Sequence, residues 1–195
     1  MMRPTSAEDA DDRQDAELAA AGEDSRTVIG TERLILRRFD LDDAAFIFEL
    51  VNDPDWLRHI GDKGVRSLDD ARNYLRTGPL DMYARHGFGV FAVALRKDGT
   101  LIGSCGLIKR DSLKDVDIGF AYLPAYRSRG FAREAAQATL DYAKDVLKLA
   151  RVVAIVSPAN YASARLLERV GLRFEYPLRA ADDADPVDLF SIDFA

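Results

Sequence analysis

Residues 117–135 constrain the fold of this chain more than any other segment, because they read as a strand, a short basic loop and the start of a helix. The apolar run at 120–123 is typical of a buried strand. Pro124 would end the hydrogen-bond ladder of that strand, since proline has no backbone N–H. From Ala132 onward the residues favour a helix. Between them lies a loop that contains Arg127, Ser128, Arg129 and Gly130.

This junction has the physical properties of an anion-binding site. The first N–H groups of a helix have no intrahelical acceptor, and the helix dipole adds a partial positive charge there. Gly130 would let a phosphate approach the backbone, while Arg127 and Arg129 could donate charge-assisted hydrogen bonds. Spacing alone leaves open an ordinary turn with two solvated arginines. The nucleotide P-loop and the dinucleotide fingerprint are excluded, because neither glycine pattern occurs.

The pattern Arg127-x-x-Gly130-x-Ala132 after a strand resembles the Arg/Gln-x-x-Gly-x-Gly/Ala signature of the GNAT superfamily of N-acetyltransferases. The sequence around this pattern looks most like that of the branch that contains the ribosomal-protein N-terminal acetyltransferases RimJ and RimL. The resemblance extends from about residue 31 to the C-terminus. It implies that the amides of the loop hold the pyrophosphate of acetyl-CoA, the expected cosubstrate.

The resemblance also implies which residues bind acetyl-CoA. In the family, the strand offers free backbone groups to the pantetheine arm, and an asparagine in a second block bonds the same arm. That block, Asn-x-x-Ser-x-x-Leu-x-x-x-x-Gly-Phe, is matched from Asn160 to Leu172, where leucine replaces the usual phenylalanine. Carried over to this sequence, the cofactor-binding residues are Phe120, Ala121, Tyr122, Leu123, Arg127, Ser128, Arg129, Gly130, Phe131, Ala132, Arg133 and Asn160.

The chemistry that the resemblance implies is direct attack of an amine on the thioester, without an acyl-enzyme. Asp117 matches an acidic position of the branch and is the candidate general base; the alternative is a surface acid. Leu167 stands where many relatives place a tyrosine acid, so Ser163 is the candidate substitute. The alternative for Ser163 is a hydroxyl bonded to its own helix. Cys105 lies in an apolar strand and is expected to be an inert thiol.

Composition bounds the remaining possibilities. Most of the net charge of −6 comes from residues 1–26, which are acidic and are expected to form a flexible tail, whereas 27–195 would be the acetyltransferase domain. The sequence has no basic stripe of the kind that binds nucleic acid. It also has no apolar run long enough to span a membrane. Two histidines and one cysteine give no metal cluster. A single cysteine, with no signal peptide, favours the cytoplasm.

The order of predicted elements is a strand, two helices, three strands, a helix, a strand, a helix and two strands. This order predicts an α/β fold that matches the GNAT fold, with a mixed, mostly antiparallel sheet of about seven strands and about four helices. The first strand is predicted at 28–38, a loop at 56–66 and a helix break near 78–79. Apolar C-terminal strands make a homodimer an additional expectation.

These observations favour an N-acetyltransferase that uses acetyl-CoA and a primary amine, either a protein N-terminus or a small molecule. A non-catalytic acyl-CoA-binding module is the first alternative, because Leu167 removes the usual acid. A scaffold without a cofactor is the second alternative. Three residues fall in the region where relatives bind the acceptor, although packing explains each of them better: Trp56, His59 and Phe88.

Overall fold

The computed structural model describes residues 25–179 and 186–194 of the 195-residue chain. Within these ranges, one eight-stranded sheet has the order β1-β2-β3-β4-β5-β6-β8-β7. All neighbouring strands are antiparallel except β5 and β6, which are parallel. The strands are β1 (Thr27–Gly30), β2 (Leu34–Arg37), β3 (Val90–Leu95), β4 (Leu101–Ile108), β5 (Val116–Tyr122), β6 (Arg151–Val156), β7 (Arg173–Leu178) and β8 (Val187–Asp193).

Six α-helices accompany the sheet in the described part of the chain. Single 3₁₀ turns at Leu41–Asp43 and Pro124–Tyr126 and a π-helical segment at Arg76–Leu80 complete the helical structure. The α-helices are α1 (Ala44–Val51), α2 (Pro54–His59), α3 (Leu68–Leu75), α4 (Asp81–His86), α5 (Phe131–Asp145) and α6 (Tyr161–Arg169). The predicted α/β class is therefore confirmed, with eight strands rather than about seven and six α-helices rather than about four.

The sheet divides the core into two clusters, and strand alternation explains the division. Phe91 and Val93 of β3 belong to the cluster that contains the apolar side of α5. Ala92, between them, belongs to the cluster formed by α1, α2 and α3. Successive side chains of a strand point to opposite faces. By the same alternation Asp117 of β5 lies on the face opposite Ile118, which packs in the α5 cluster.

The feature that matters most for function is the divergence of β5 and β6. The two strands pair only at Val116 with Val152 and at Asp117 with Val153. β5 then continues to Tyr122 and β6 to Val156 without pairing to each other. The backbone of β5 beyond Asp117 therefore has no strand neighbour on its β6 side, which leaves hydrogen-bonding groups for another partner.

Two predicted strand and helix boundaries were wrong, for identifiable reasons. The single strand predicted at 28–38 is two strands, because the Thr31 hydroxyl accepts a hydrogen bond from Leu34 N at 3.0 Å and closes a turn. The helix break predicted near 78–79 is absent. There the chain widens into the π-helical segment around Pro79, which suits a residue that cannot donate to the helix ladder.

The loop predicted at 56–66 was also wrong in its first part, where α2 forms. The Asp53 carboxylate accepts hydrogen bonds from Asp55 N and Trp56 N, and Pro54 occupies the first turn. An Asp-Pro pair therefore begins this helix, as it favours N-terminal positions. The Asp40 side chain caps the 3₁₀ turn and that of Ser67 caps α3, while Gly171 follows α6 with a φ of 98°.

Several expectations remain predictions. The proposed tail at 1–26 lies outside the described residues except for its last two. In the described ranges, no helix combines the length and apolar character needed to span a bilayer. Strand β7 is at the end of the sheet order, and its Phe174 and Tyr176 are about half exposed. That exposed edge is compatible with the expected homodimer.

Candidate active site

A cleft of about 1040 Å³ occupies the region where β5 and β6 diverge. It contacts residues from α2, β5, the loop before α5, and α6. Three residues expected to bind the cofactor, Leu123, Arg129 and Phe131, are not among its lining residues. The cleft is lined by eleven predicted site residues, Asp117, Phe120, Ala121, Tyr122, Arg127, Ser128, Gly130, Ala132, Arg133, Asn160 and Ser163.

The loop before α5 presents free backbone donors. Among the described residues, no acceptor is found for the backbone N–H groups of residues 128–133. Ser128 and Gly130 have positive φ values of 58° and 84°, so both are in the left-handed region between extended residues and the helix. Alternation of such conformations turns successive N–H groups toward one side, which forms a concave anion site at the helix N-terminus.

The Arg127 side chain is bound by other groups of the protein, whereas its place in the motif predicts a contact with phosphate. Its Nε donates to the Tyr122 carbonyl at 2.8 Å. Nη1 binds Asp55 at 2.5 Å and Nη2 binds Asp53. The Asp53 side chain is only 5% exposed. These partners give Arg127 a structural role that ties the loop to the start of α2, and its phosphate contact stays a prediction.

The Arg129 side chain, by contrast, has no hydrogen bond or ion pair within the described residues. Its guanidinium lies 5.4 Å from the centre of the Phe131 ring, and that of Arg33 lies 4.7 Å from the same ring. Arg33 is held by Glu134, with Nε 2.7 Å from Oε2, and donates to the Arg129 carbonyl at 3.2 Å. Two cationic groups therefore flank Phe131 at the N-terminus of α5.

The strand expected to pair with pantetheine has both free and occupied main-chain groups. Leu123 lies just beyond β5, and its N–H donates to Ile102 O at 3.0 Å while its carbonyl accepts from Tyr126 N. Its backbone is therefore already satisfied. The free groups on the β6 side belong instead to the part of β5 after Asp117. Pantetheine binding by the Leu123 backbone stays a prediction, and the hydrogen bonds that Leu123 already makes do not favour it.

Asp117 is 1% exposed and forms an ion pair with Arg110, whose Nε donates to Oδ2 at 2.8 Å. The other carboxylate oxygen, Oδ1, is buried and has no hydrogen-bond partner among the described residues. Burial raises the pKa of Asp117, and the Arg110 charge opposes that rise. A carboxylate with one satisfied and one free oxygen in a cleft has the properties of a proton acceptor.

Asn160, Ser163 and Leu167 lie on one side of the cleft, at the start and on one face of α6. The Asn160 Oδ1 caps the helix by accepting from Ser163 N at 3.1 Å, which leaves its Nδ2 as a donor without a partner in the described chain. No hydrogen bond of the Ser163 hydroxyl to its own helix is observed. Leu167 is fully buried and brings no proton donor to this position.

Cys105 is buried beneath α5, where its Sγ lies 3.5 Å from the Thr139 Oγ1. Burial raises the pKa of this thiol to about 12. A thiol so far from ionising is a poor nucleophile, and Cys105 does not line the cleft. The interpretation of Cys105 as an inert thiol is consistent with its position.

The cleft is also lined by residues that precede β5 in the sequence. Trp56 and His59 of α2 line it, as does Lys63 in the following loop. Phe88, which was considered with them, packs in the α5 cluster instead. Sequence reasoning missed Arg110 and Lys63, because nothing in their local sequence indicates what they approach.

The comparisons with known proteins agree with this geometry. A sequence model of the acetyltransferase (GNAT) domain family matches residues 33–173. The uncharacterized N-acetyltransferase YnaD of Bacillus subtilis (strain 168) is 31% identical over 147 residues, which cover 75% of this chain and 83% of YnaD.

Two crystal structures of acetyltransferases have the same fold. A GNAT-family acetyltransferase from Bacillus anthracis superposes with a TM-score of 0.71 at 30% identity, covering 85% of this chain and 97% of that one. An acetyltransferase from Agrobacterium tumefaciens str. C58 superposes with a TM-score of 0.73 at 25% identity, covering 89% and 97%. The family match spans well over half of the chain, and the protein is therefore an acetyltransferase of the GNAT family.

Proposed function

We propose that this protein transfers the acetyl group of acetyl-CoA to a primary amine by direct attack in a ternary complex. The observation that carries the proposal is the run of unpaired N–H groups at 128–133, next to a cleft that opens between β5 and β6. Such a run binds a diphosphate at one end, while the unpaired part of β5 offers partners to an amide-containing arm. Both are needed for a CoA thioester.

The cleft also has residues for the proton transfers. In the proposed reaction the amine nitrogen forms a bond to the acetyl carbon, and the carbon–sulfur bond breaks. Asp117 accepts the proton that the amine loses, through its free Oδ1. The Ser163 hydroxyl lines the same cleft, and we assign to it the transfer of a proton to the departing sulfur, with a proton from solvent restoring the hydroxyl. A thiol pKa of roughly 8.5 makes the thiolate an adequate leaving group even without a strong acid.

The proposal includes acetyl-CoA as the donor and a protein N-terminus or small amine as the acceptor. It also includes membership of the RimJ/RimL-like branch. The cytoplasmic location, which the single cysteine favours, and the homodimer, which the exposed β7 edge favours, are parts of it as well. Family membership supports the catalytic alternative over a non-catalytic acyl-CoA-binding module.

Two measurements on the purified protein test the proposal. Calorimetry with acetyl-CoA should give a micromolar or tighter Kd. Release of free thiol should then be followed with a panel of amines that includes polyamines, amino acids and short peptides. Binding with no turnover of any amine would favour the non-catalytic module. The absence of binding would contradict both functions.

A further inference from the structure

The charges that line the cleft are unequal. Its three acidic residues are all ion-paired, Asp53 and Asp55 with Arg127 and Asp117 with Arg110. Its cations include four for which no ion pair is found within the described ranges, Lys63, Arg133, Arg165 and Arg169. The cleft is therefore cationic overall, which favours ligands that carry negative charge.

Three of the four unpaired cations belong to the side expected to bind the donor. Arg133 is in the first turn of α5, and Arg165 and Arg169 are on α6. Arg133 belongs to the run of free N–H groups proposed to bind the diphosphate. Lys63 follows α2 and lies outside the elements proposed to bind the donor.

Lys63 and Arg110 both line the cleft. Burial lowers the pKa of Lys63, and the charge of Arg110 lowers it further. Tyr74 of α3 also lines the cleft; burial raises its pKa, an effect that the Arg110 charge opposes. Lys63 has no ion pair in the described chain and Arg110 uses only Nε for Asp117, so an anion bound between them would gain charge-assisted hydrogen bonds from both.

The cleft lining also contains an unsatisfied donor. The Trp56 indole Nε1–H is buried without an acceptor in the described chain, and the residue is only 9% exposed. Indole nitrogen can only donate a hydrogen bond. A ligand oxygen would satisfy it, whereas a second ammonium group would not.

We propose that the amine acceptor carries a carboxylate near its amino group, bound by Lys63 and Arg110, so that the substrate class is amino-acid-like. This inference rests on the proposed function. Arg110 uses Nε for Asp117, and its two terminal nitrogens have no partner in the described residues. One guanidinium therefore contacts both the proposed base and the proposed anion. The amino group and the carboxylate must then be only a few bonds apart.

The first test compares matched acceptors. Free amino acids, their carboxamides and spermidine are assayed with acetyl-CoA, each at the same concentration of uncharged amine. We expect kcat/KM for the preferred amino acid to exceed that of its carboxamide by about tenfold or more, as for the loss of one charge-assisted hydrogen bond. Equal or better rates with the carboxamide or with spermidine would overturn the inference while leaving the proposed function intact.

The second test uses variants. Lys63→Met should raise the KM for the amino acid by about tenfold, leave the KM for acetyl-CoA unchanged, and reduce the preference over the carboxamide. Lys63→Arg should restore that preference. Lys97→Met, at an exposed lysine of the hairpin turn, is the control and should behave as the parent. An unchanged preference in Lys63→Met would contradict the assignment. If acetyl-CoA binds but no amine reacts, the proposed function fails as well.

Discussion

Arg110 Nε lies 2.8 Å from Asp117 Oδ2, yet Asp117 Oδ1 is buried without a partner among the described residues. The ion pair fixes the carboxylate in place, and Asp117 lines the cleft. Because burial is the larger influence, the pKa of Asp117 is raised despite Arg110. Asp117 is thus arranged as a proton acceptor, as a general base requires.

The first prediction concerns Asp117→Asn. This variant should lower kcat by about 10²-fold or more, the usual contribution of a general base, with little change in the Kd for acetyl-CoA. In the parent protein, kcat should fall as the pH decreases through the raised pKa, because the protonated carboxyl cannot accept a proton. The variant should lack that acidic limb. A pH–rate profile that is the same for both proteins would remove Asp117 from the mechanism.

The second prediction is that Asp117→Asn does not destabilise the fold at neutral pH. The folded pKa of Asp117 lies above the unfolded value of 3.8, so the folded state binds more protons between them. Its free energy of unfolding consequently falls as the pH rises through that window. Asparagine removes this dependence. When the pH is raised from 4 to 7, the Tm measured by thermal unfolding should fall less for the variant than for the parent.

The third prediction contrasts two arginines of one loop. Arg127→Met leaves the buried Asp53 carboxylate without its cation, which should destabilise the fold by about 2–4 kcal/mol. Arg129→Met removes a cation that has no ion pair in the described chain, so its Tm should change little while its Kd for CoA weakens by about tenfold. Calorimetry and thermal unfolding of both variants separate the roles. Equal Tm values for the two variants would contradict the structural role of Arg127.

The local part of the site could be predicted from the sequence, because it lies within continuous segments. The strand, the loop and the helix at 116–145 and the asparagine block at 160–172 each place their residues through neighbouring positions. Gly130, with φ of 84°, fulfils a backbone requirement that its residue type already indicates.

The ion pairs that organise the cleft could not be predicted in this way. Arg127 and Asp53 are 74 residues apart, and Arg33 and Glu134 are 101 apart. Only the fold brings such pairs together, and any acidic residue would have been an equal candidate. The helix α2 was missed for a different reason, since Asp53-Pro54 favours both the end of one helix and the start of the next.

The fourth prediction uses two glycines with the same backbone constraint. Gly130 and Gly99 have φ values of 84° and 72°, so alanine at either position should cost about 1 kcal/mol of stability. A methyl group at Gly130 would also stand beside the free N–H groups, 3.2 Å from the Arg33 Nη2. Gly130→Ala should therefore weaken CoA binding by about tenfold or more, whereas Gly99→Ala should bind as the parent. Equal affinities would show that no phosphate approaches Gly130.

The fifth prediction separates the two functions of the Asn160 side chain. Its Oδ1 caps α6, and its Nδ2 is the donor proposed for pantetheine. Asn160→Asp keeps an oxygen for the cap but loses the donor, so it should retain its Tm while its Kd for CoA weakens. Asn160→Ala loses both and should also be destabilised by about 1 kcal/mol. If Asn160 serves only as a cap, the aspartate variant will bind CoA as tightly as the parent, and the weaker binding will appear in the alanine variant alone.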